Sequence, residues 1–458
     1  MKNRYIKYYS TNLRSPEVSF KDALLGGLAP DGGLYMPDHI PHIDKKDIET
    51  FQSSDYPHIA NKILSTLLKD EVDSEKLLSL CLDAYNYEVP VEKIHGRTYI
   101  LRLDHGPTLS FKDFAARMMA RLMNHFTSAE GSRFTILTAT SGDTGSAVAN
   151  AFHGLDNIDV IVLFPFTEVT EYQRKQMTTL DKNISAIAID GKFDDCQALV
   201  KRAFLDQSLA HCSLTSANSI NIGRLLPQSV YYFYSWSRVS RSISDTVIFS
   251  VPSGNYGNLM GGIIARELGL PVKRFVISTN ENKEVPEYLR TGTYEIISPS
   301  INCISSAMNV GHPSNLARIV ALYGGIMNKE GVLLKNPDLK KMREDFSGFS
   351  VSDDETRKTI GDFFRQYGSV IEPHGAVAWK GMEKFRELNP DQNSDKQLFI
   401  SLETAHPSKF REEIVKILGF SPDVPDHLSR IDALKENFLK MENNYDMLKE
   451  FILKHHKQ

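Results

Sequence analysis

Val247-Ile248-Phe249-Ser250-Val251-Pro252-Ser253-Gly254-Asn255-Tyr256-Gly257-Asn258 is the stretch on which the fold turns. Residues 247–251 form a short apolar run, as expected of a strand buried on both faces. A glycine-punctuated loop follows directly. Residues 259–268 then carry a helical pattern, and residues 272–278 read as another strand. Strand, tight loop, helix and strand in that order describe one βαβ unit of a parallel sheet. Glycines let a backbone approach a ligand closely, and the free amides at a helix start bind an anion. The loop is neither a Walker loop, since the lysine is missing, nor a GxGxxG turn, and a phosphate is its natural guest.

The same rhythm continues outward. Residues 133–139 form a strand that runs into Thr140-Ser141-Gly142-Asp143-Thr144-Gly145-Ser146, and residues 147–152 are helical. Further strands are expected at 99–103, 159–164, 184–189 and 397–402, and helices at 194–205 and 221–239. The alternation predicts an α/β fold with mostly parallel sheets covered on both faces, which bind ligands at the carboxyl ends of their strands. The 140–146 loop offers hydroxyls, one carboxylate and a helix N-terminus. That suits a second anion such as a substrate carboxylate, although Ser141 or Asp143 could simply cap the helix.

Upstream lies His105-Gly106-Pro107-Thr108-Leu109-Ser110-Phe111-Lys112-Asp113-Phe114. Its Gly-Pro pair is a turn signal. Phe111, Phe114, Met118 and Leu122 then recur at helical steps, which puts Lys112 in the first turn on a different face. Asp113 beside it suits the positive helix N-terminus. A lysine anchored there could be desolvated and act as an amine nucleophile, and this stretch alone reads equally as a solvated lysine that starts an ordinary helix. Residues 26–37 are Gly/Pro-rich loop, and helices are expected at 59–68 and 75–85.

Composition bounds the function. The 458 residues suggest about three domains. Hydrophobic content of 41%, charged content of 24% and a formal net charge of −4 are ordinary for a globular chain and give no sign of a nucleic-acid or membrane partner. Cys81, Cys196, Cys212 and Cys303 have no paired spacing, so no metal site is expected, and they read as core residues in a reducing cytosol. The first ten residues lack the apolar segment of a signal peptide, and the expected location is cytoplasmic. Residues 428–458 read as a charged helical tail.

The sequence Leu109-Ser110-Phe111-Lys112-Asp113-Phe114, the 140–145 loop, the 253–258 loop and Thr404-Ala405-His406-Pro407-Ser408-Lys409 stand in the order found in threonine synthases. Leu28-Ala29-Pro30-Asp31-Gly32-Gly33-Leu34-Tyr35 also resembles that family's opening. The family is part of the tryptophan-synthase-β-like group of pyridoxal-phosphate enzymes. The resemblance implies two doubly wound, mostly parallel α/β sheet domains of fold type II, with an N-terminal α+β region and a C-terminal helical tail. The expected divisions are 1–95, 96–230 with the lysine and the substrate-carboxylate loop, 231–425 with the cofactor phosphate loop, and 426–458.

The resemblance also implies roles. Lys112 would carry pyridoxal 5'-phosphate as a Schiff base, and Gly254, Asn255, Tyr256, Gly257 and Asn258 would cradle its phosphate. Thr404 would meet the pyridine nitrogen through a hydroxyl. Ser141, Gly142, Asp143 and Thr144 would hold the substrate carboxylate, and Arg224 the substrate phosphate. The substrate would be O-phospho-L-homoserine, converted with water to L-threonine and phosphate by a monomer or homodimer. Asn309 and His312 stand where the family commonly has Asp and Asn, and Asn12 departs from its usual Ser-Thr-Arg opening. These departures leave a phospho-lyase or a dehydratase releasing a keto acid as the alternative activity. A non-catalytic α/β protein binding a phosphorylated small molecule would instead be colourless.

Overall fold

The computed structural model describes residues 5–69, 71–140, 142–392, 396–431 and 433–456. In chain order the strands are β1 (Tyr8–Ser10), β2 (Tyr35–Pro37), β3 (Val91–His95), β4 (Thr98–Arg102), β5 (Phe134–Ala139), β6 (Ile158–Pro165), β7 (Ile184–Asp190) and β8 (Leu214–Thr215). They continue with β9 (Val247–Pro252), β10 (Val272–Thr279), β11 (Ile326–Met327), β12 (Leu333–Lys335), β13 (Phe346–Ser350), β14 (Leu398–Glu403) and β15 (Leu439–Glu442). Two sheets carry the architecture. One has six strands in the order β13-β10-β9-β14-β4-β3, parallel except for β3. The other has five parallel strands in the order β15-β7-β6-β5-β8.

The central strands β9 and β14 are buried at every residue, and β6 at all but Asp159, because helices cover both faces. One apolar cluster runs from Phe114 and Met118 through Ile136 and Val160 to Phe249 and Ile400, and joins the two sheets. The outer face of the six-stranded sheet packs on the helices Asp353–Tyr367 and Pro373–Leu388. The outer face of the five-stranded sheet packs on Phe193–Leu205 and on the C-terminal helix Tyr445–His456. The four cysteines are free and buried.

The expected doubly wound α/β fold is what forms, with local differences. The tail is not wholly helical. Leu439–Glu442 adds β15 to the edge of the five-stranded sheet, parallel to β7, with Met441 turned inward. The expected 221–239 helix is α-helical only over Ser229–Val239. Ahead of it lie two short 3-10 turns, Ile222–Arg224 and Leu226–Gln228, because Pro227 lacks the amide that a continuous helix needs. Strand β4, with β3 on its outer edge, pairs with β14, and β15 pairs with β7, so each end of the chain reinforces the sheet built mainly by the other end.

Both candidate loops leave strands at which the winding reverses. From β9 the chain adds β10 and β13 on one side, while β14 lies on the other. From β5 it adds β6 and β7 on one side, while β8 lies on the other. Such switch points open a crevice beyond the carboxyl ends of the strands.

Candidate active site

The loop after β9 is held open by its own side chains. Asn255 Oδ1 accepts from Ser314 N (2.7 Å) and Ser314 Oγ (2.9 Å), and its Nδ2 donates to Ser219 Oγ (2.7 Å). Asn315 Nδ2 donates to the Asn255 carbonyl (2.9 Å). Tyr256 takes the left-handed conformation (φ 61°) and turns its ring into the core, which leads into the Gly257–Glu267 helix. Gly254 lies flat beneath residues 307–308, where a Cβ would come within 2.8 Å of Met308 Cα. With Asn255 and Tyr256 so committed, the loop offers its backbone amides and the orphan N–H groups of the helix start.

Asn258 adds a side chain to that set. The hydroxyls of Tyr231 and Tyr232 both point at its Oδ1 (2.7 Å each). Its Nδ2 is buried and has no partner among the described residues. A buried amide donor at a helix N-terminus next to a glycine loop is suited to an anion.

Lys112 begins the Lys112–Glu130 helix as expected. The segment ahead of it is clasped by the end of β14. Phe111 N donates to the Thr404 carbonyl (2.9 Å), and His406 N to the Leu109 carbonyl (3.1 Å). Asp113 closes the same turn by accepting from Thr108 N (2.8 Å) and Thr108 Oγ1 (2.6 Å). The Lys112 side chain is 15% exposed, so a small molecule can reach it while bulk water is largely kept away. Phe114, in the same turn, packs on Tyr231 (ring centroids 5.5 Å apart), the residue whose hydroxyl meets Asn258. The turn that carries Lys112 is thus packed, through Phe114 and Tyr231, against the helix start that follows the 253–258 loop.

The electrostatics around Lys112 are unusual. Asp143 Oδ2 lies 3.7 Å from its Nζ, but Asp143 Oδ1 is only 2.5 Å from Lys409 Nζ and also accepts from Gln173 Nε2 (3.0 Å). Burial lowers the Lys112 pKa. Asp143 opposes that shift, while Lys409 and Arg224 reinforce it. Burial works against ionisation of Asp143, yet Lys409 and Lys112 together hold its carboxyl well below the usual range. Arg224 sits in the Ile222–Arg224 turn and donates to the Ala217 carbonyl (2.6 Å). Its Nε is buried without a partner among the described residues, and burial brings its pKa down to about 10.

Asp143 and Thr144 form the first turn of the Asp143–Phe152 helix, four residues earlier than the sequence pattern suggests. Gly142 takes φ 134°, and a Cβ there would come within 2.3 Å of the Gln173 side chain. The amides of Gly142 and Gly145 are already used by Thr140 Oγ1 (2.9 and 2.8 Å). An ionised carboxylate is an acceptor only, so Asp143 serves here as counter-ion to two lysines and not as an anion ligand. Ser141, expected in the same loop, lies outside the described residues.

Thr404 is buried, its Oγ1 3.4 Å from Glu372 Oε1. Glu372 in turn braces His374, whose Nδ1 lies 2.5 Å from Glu372 Oε2 and whose Nε2 accepts from Ala307 N (3.1 Å). This is a support for residues 307–308 above Gly254. Glu403 and Asp104 lie against Arg102. Burial pushes the Glu403 carboxyl well up, helped by Glu372 and opposed by Arg102. It brings Asp104 to about 7 against the pull of Arg102.

The sequence reading missed Lys409, Gln173 and Glu372 as parts of this surroundings. The one available signal was a lysine within the otherwise buried turn Pro407–Phe410. The departures Asn309 and His312 are tied into their own loop. Asn309 Oδ1 accepts from Asn280 Nδ2 (2.9 Å) and Cys303 N (3.2 Å), while His312 bridges the Tyr294 hydroxyl (2.8 Å) and the Lys329 carbonyl (3.1 Å).

The chain matches known proteins along its length. Residues 7–85 match the family model of the threonine synthase N terminus, residues 87–401 that of pyridoxal-phosphate dependent enzymes, and residues 376–452 that of the threonine synthase C-terminal region. The threonine synthase of Haemophilus influenzae is 39% identical over 97% of this chain and 99% of its own. That of Escherichia coli is 38% identical over 98% of this chain and 100% of its own. Among solved structures, the pyridoxal-phosphate-bound threonine synthase of Brucella melitensis superposes with a TM-score of 0.91 at 33% identity, covering 99% of this chain and 100% of that one. The Escherichia coli enzyme superposes with a TM-score of 0.86 at 36% identity, covering 98% and 100%. No helix among the described residues is long and apolar enough to cross a membrane. The amine, the anion-ready loop beside it and the match along the whole chain lead to one family: this chain belongs to the threonine synthases, pyridoxal-phosphate-dependent lyases.

Proposed function

We propose that this protein converts O-phospho-L-homoserine and water to L-threonine and phosphate. The observation that carries the reading is the Lys112 amine, 15% exposed, beside a glycine loop whose helix start includes an unpartnered buried amide. The residues fit pyridoxal 5'-phosphate. The backbone amides of Gly254, Asn255, Tyr256, Gly257 and Asn258, with Asn258 Nδ2, would hold its phosphate; Lys112 would hold its aldehyde carbon, and the Thr404 hydroxyl would meet its ring nitrogen. When bound, this cofactor supplies an electron sink for charge that develops on the substrate next to its amine.

The chain's own groups supply the rest. Lys112 is the base for the proton on the substrate α carbon, since among the described residues it is the amine that is both reachable and depressed by burial. Arg224 would face the substrate phosphate with its free Nε, a charge-assisted donor in a dry setting. The helix start at Gly142, Asp143 and Thr144, with Ser141 ahead of it, is proposed to receive the substrate carboxylate through the Asp143 and Thr144 N–H groups and the Ser141 and Thr144 hydroxyls, with Gly142 shaping the turn and the Asp143 carboxylate acting only on the lysines. The neighbourhood of Lys112, Lys409 and Arg224 carries more positive than negative charge, which favours a substrate with two anionic groups.

The test is product analysis of the purified, cofactor-loaded protein with O-phospho-L-homoserine. Threonine and phosphate in equal amounts support the reading. A keto acid with ammonia, or a colourless protein with no borohydride-sensitive absorption, overturns it.

A further inference from the structure

Lys409 has no role in the reaction as described, yet it is a fully enclosed cation near the site. Its side chain is 0% exposed. Nζ lies 2.5 Å from Asp143 Oδ1 and donates to the Thr108 carbonyl at 3.0 Å. Burying an ammonium group is expensive, and a well-packed apolar side chain would close this turn more cheaply. The charge is therefore expected to have a use.

That use follows from what Asp143 would do without it. The carboxylate stands between two ammonium groups and lies closer to Lys409 than to Lys112 (2.5 against 3.7 Å). Gln173 Nε2 binds the same oxygen that Lys409 binds and holds the carboxylate in that orientation. The groups facing Lys112 are few. Asp143 comes from the Asp143–Phe152 helix, Lys409 from the Pro407–Phe410 turn and Arg224 from the Ile222–Arg224 turn. On its own helix, Asp113 is turned away onto Thr108, and the Phe111 ring lies 5.4 Å from Nζ. Asp143 is thus the sole carboxylate in this set that can close on Lys112.

We propose that Lys409 is a positioning residue that keeps Asp143 to itself, so that the Lys112 amine is left without a tight ion-pair partner and is free to attack an aldehyde. The inference rests on the reading of Lys112 given above and deepens it. In the attack, the Nζ lone pair forms the carbon–nitrogen bond, the two amine protons leave with the carbonyl oxygen as water, and no oxidant or reductant takes part. Without Lys409 the full charge of Asp143 falls on Lys112 and favours its protonated, unreactive form.

The experiment uses the full chain, stripped of cofactor by hydroxylamine and reloaded with pyridoxal 5'-phosphate, with regain of the visible absorption band followed against pH. Lys409→Met should move the half-point of the reloading rate upward by about one to two pH units, since an opposite charge at this range acts on that scale. It should slow reloading about tenfold or more at neutral pH. Lys409→Arg should restore the wild-type profile. The double variant Lys409→Met with Asp143→Asn should return it toward wild type, which a purely structural role does not predict. Should Lys409→Met not fold, Lys409→Gln, whose amide can still donate to Thr108, carries the same measurement. A folded variant with an unchanged pH profile overturns the proposal. A separate control isolates the underlying reading: if borohydride fixes the cofactor on a lysine other than Lys112 in the wild-type chain, the assignment of Lys112 fails, whatever Lys409 does.

Discussion

The two loops proposed to serve Lys112 share an architecture and differ in electrostatics. Each follows a strand at which the sheet reverses its winding, and each starts a helix. In the loop after β9, charge is absent. Asn255 and Tyr256 are spent on the scaffold, and Asn258 is pinned by two tyrosines with its amide free. In the loop after β5, one carboxylate sits at the helix start and answers two lysines. A neutral corner made of fixed N–H groups suits a phosphate that stays in place through turnover. A corner built around a shared counter-ion suits a group whose protonation must change. The contrast teaches that the helix N-terminus supplies only the site for an anion, and that the side chains around it decide between holding and reacting.

Removing the reactive group is the harshest way to separate the two corners. Lys112→Ala should lower threonine formation by about a thousandfold or more, the upper part of what a positioned acid–base group contributes. Cofactor should still bind through the neutral corner, without covalent attachment. Phosphate release and equilibrium dialysis measure the two effects, and loss of both together would mean that the corners are not independent.

The charged corner can be weakened without touching the amine. Asp143→Asn leaves Lys409 buried without its counter-ion and should destabilise the fold at neutral pH by about 3 kcal/mol, measured by chemical denaturation. The pH dependence has a definite sign. The folded carboxyl titrates below an unfolded one, so its ionisation stabilises the protein above about pH 4 and this contribution is lost as pH falls further. The variant should lack that part of the acid transition. It should also move the acid limb of kcat/KM downward, because Asp143 no longer favours the protonated amine.

The neutral corner is tested at its brace. Asn255→Ala removes the bonds to Ser314, Ser219 and leaves the Ser314 amide without its acceptor. Cofactor affinity should fall about tenfold to a hundredfold, since one or two net hydrogen bonds to a pre-set loop are lost. The pH profile of Lys112 should not move. A shifted profile would show the two corners to be electrically coupled.

Much of this contrast can be read in the sequence, and the missing part has a physical cause. The strands β5, β6, β9 and β14 announce themselves because double-sided burial demands mostly apolar runs, and the glycines at 254 and 142 mark backbones that pass too close to Met308 or Gln173 for a side chain. Lys112 follows from helix phase. Lys409 does not, because its meaning depends on Asp143, which is distant in sequence and reaches it only when the turn after β14 folds over Thr108. Asp143 reads equally well as a cap or a ligand until that lysine is in place. Strand β15 is also hidden: it is a short edge strand with one buried residue, Met441, between charged neighbours, a pattern as compatible with a helical tail. Pro227 stands in the sequence as a missing helix amide, while the apolar periodicity around it reads as one continuous helix.

The smallest effect is the most discriminating, because it asks what pins the free amide of Asn258. Tyr231 and Tyr232 both point hydroxyls at Asn258 Oδ1, and Tyr231 also lies 2.9 Å from Gln228 Oε1. Tyr231→Phe deletes one of these partners and keeps the ring that packs on Phe114. The fold should lose about 1 kcal/mol, the usual net worth of one hydrogen bond, and a thermal melt reads it. Tyr232 still anchors the amide, so cofactor affinity should change by no more than about twofold. A fall of tenfold or more would mean that the orientation of Asn258 Nδ2 depends on both hydroxyls together. The neutral corner would then owe its grip on an anion to one side chain more than to the backbone amides around it.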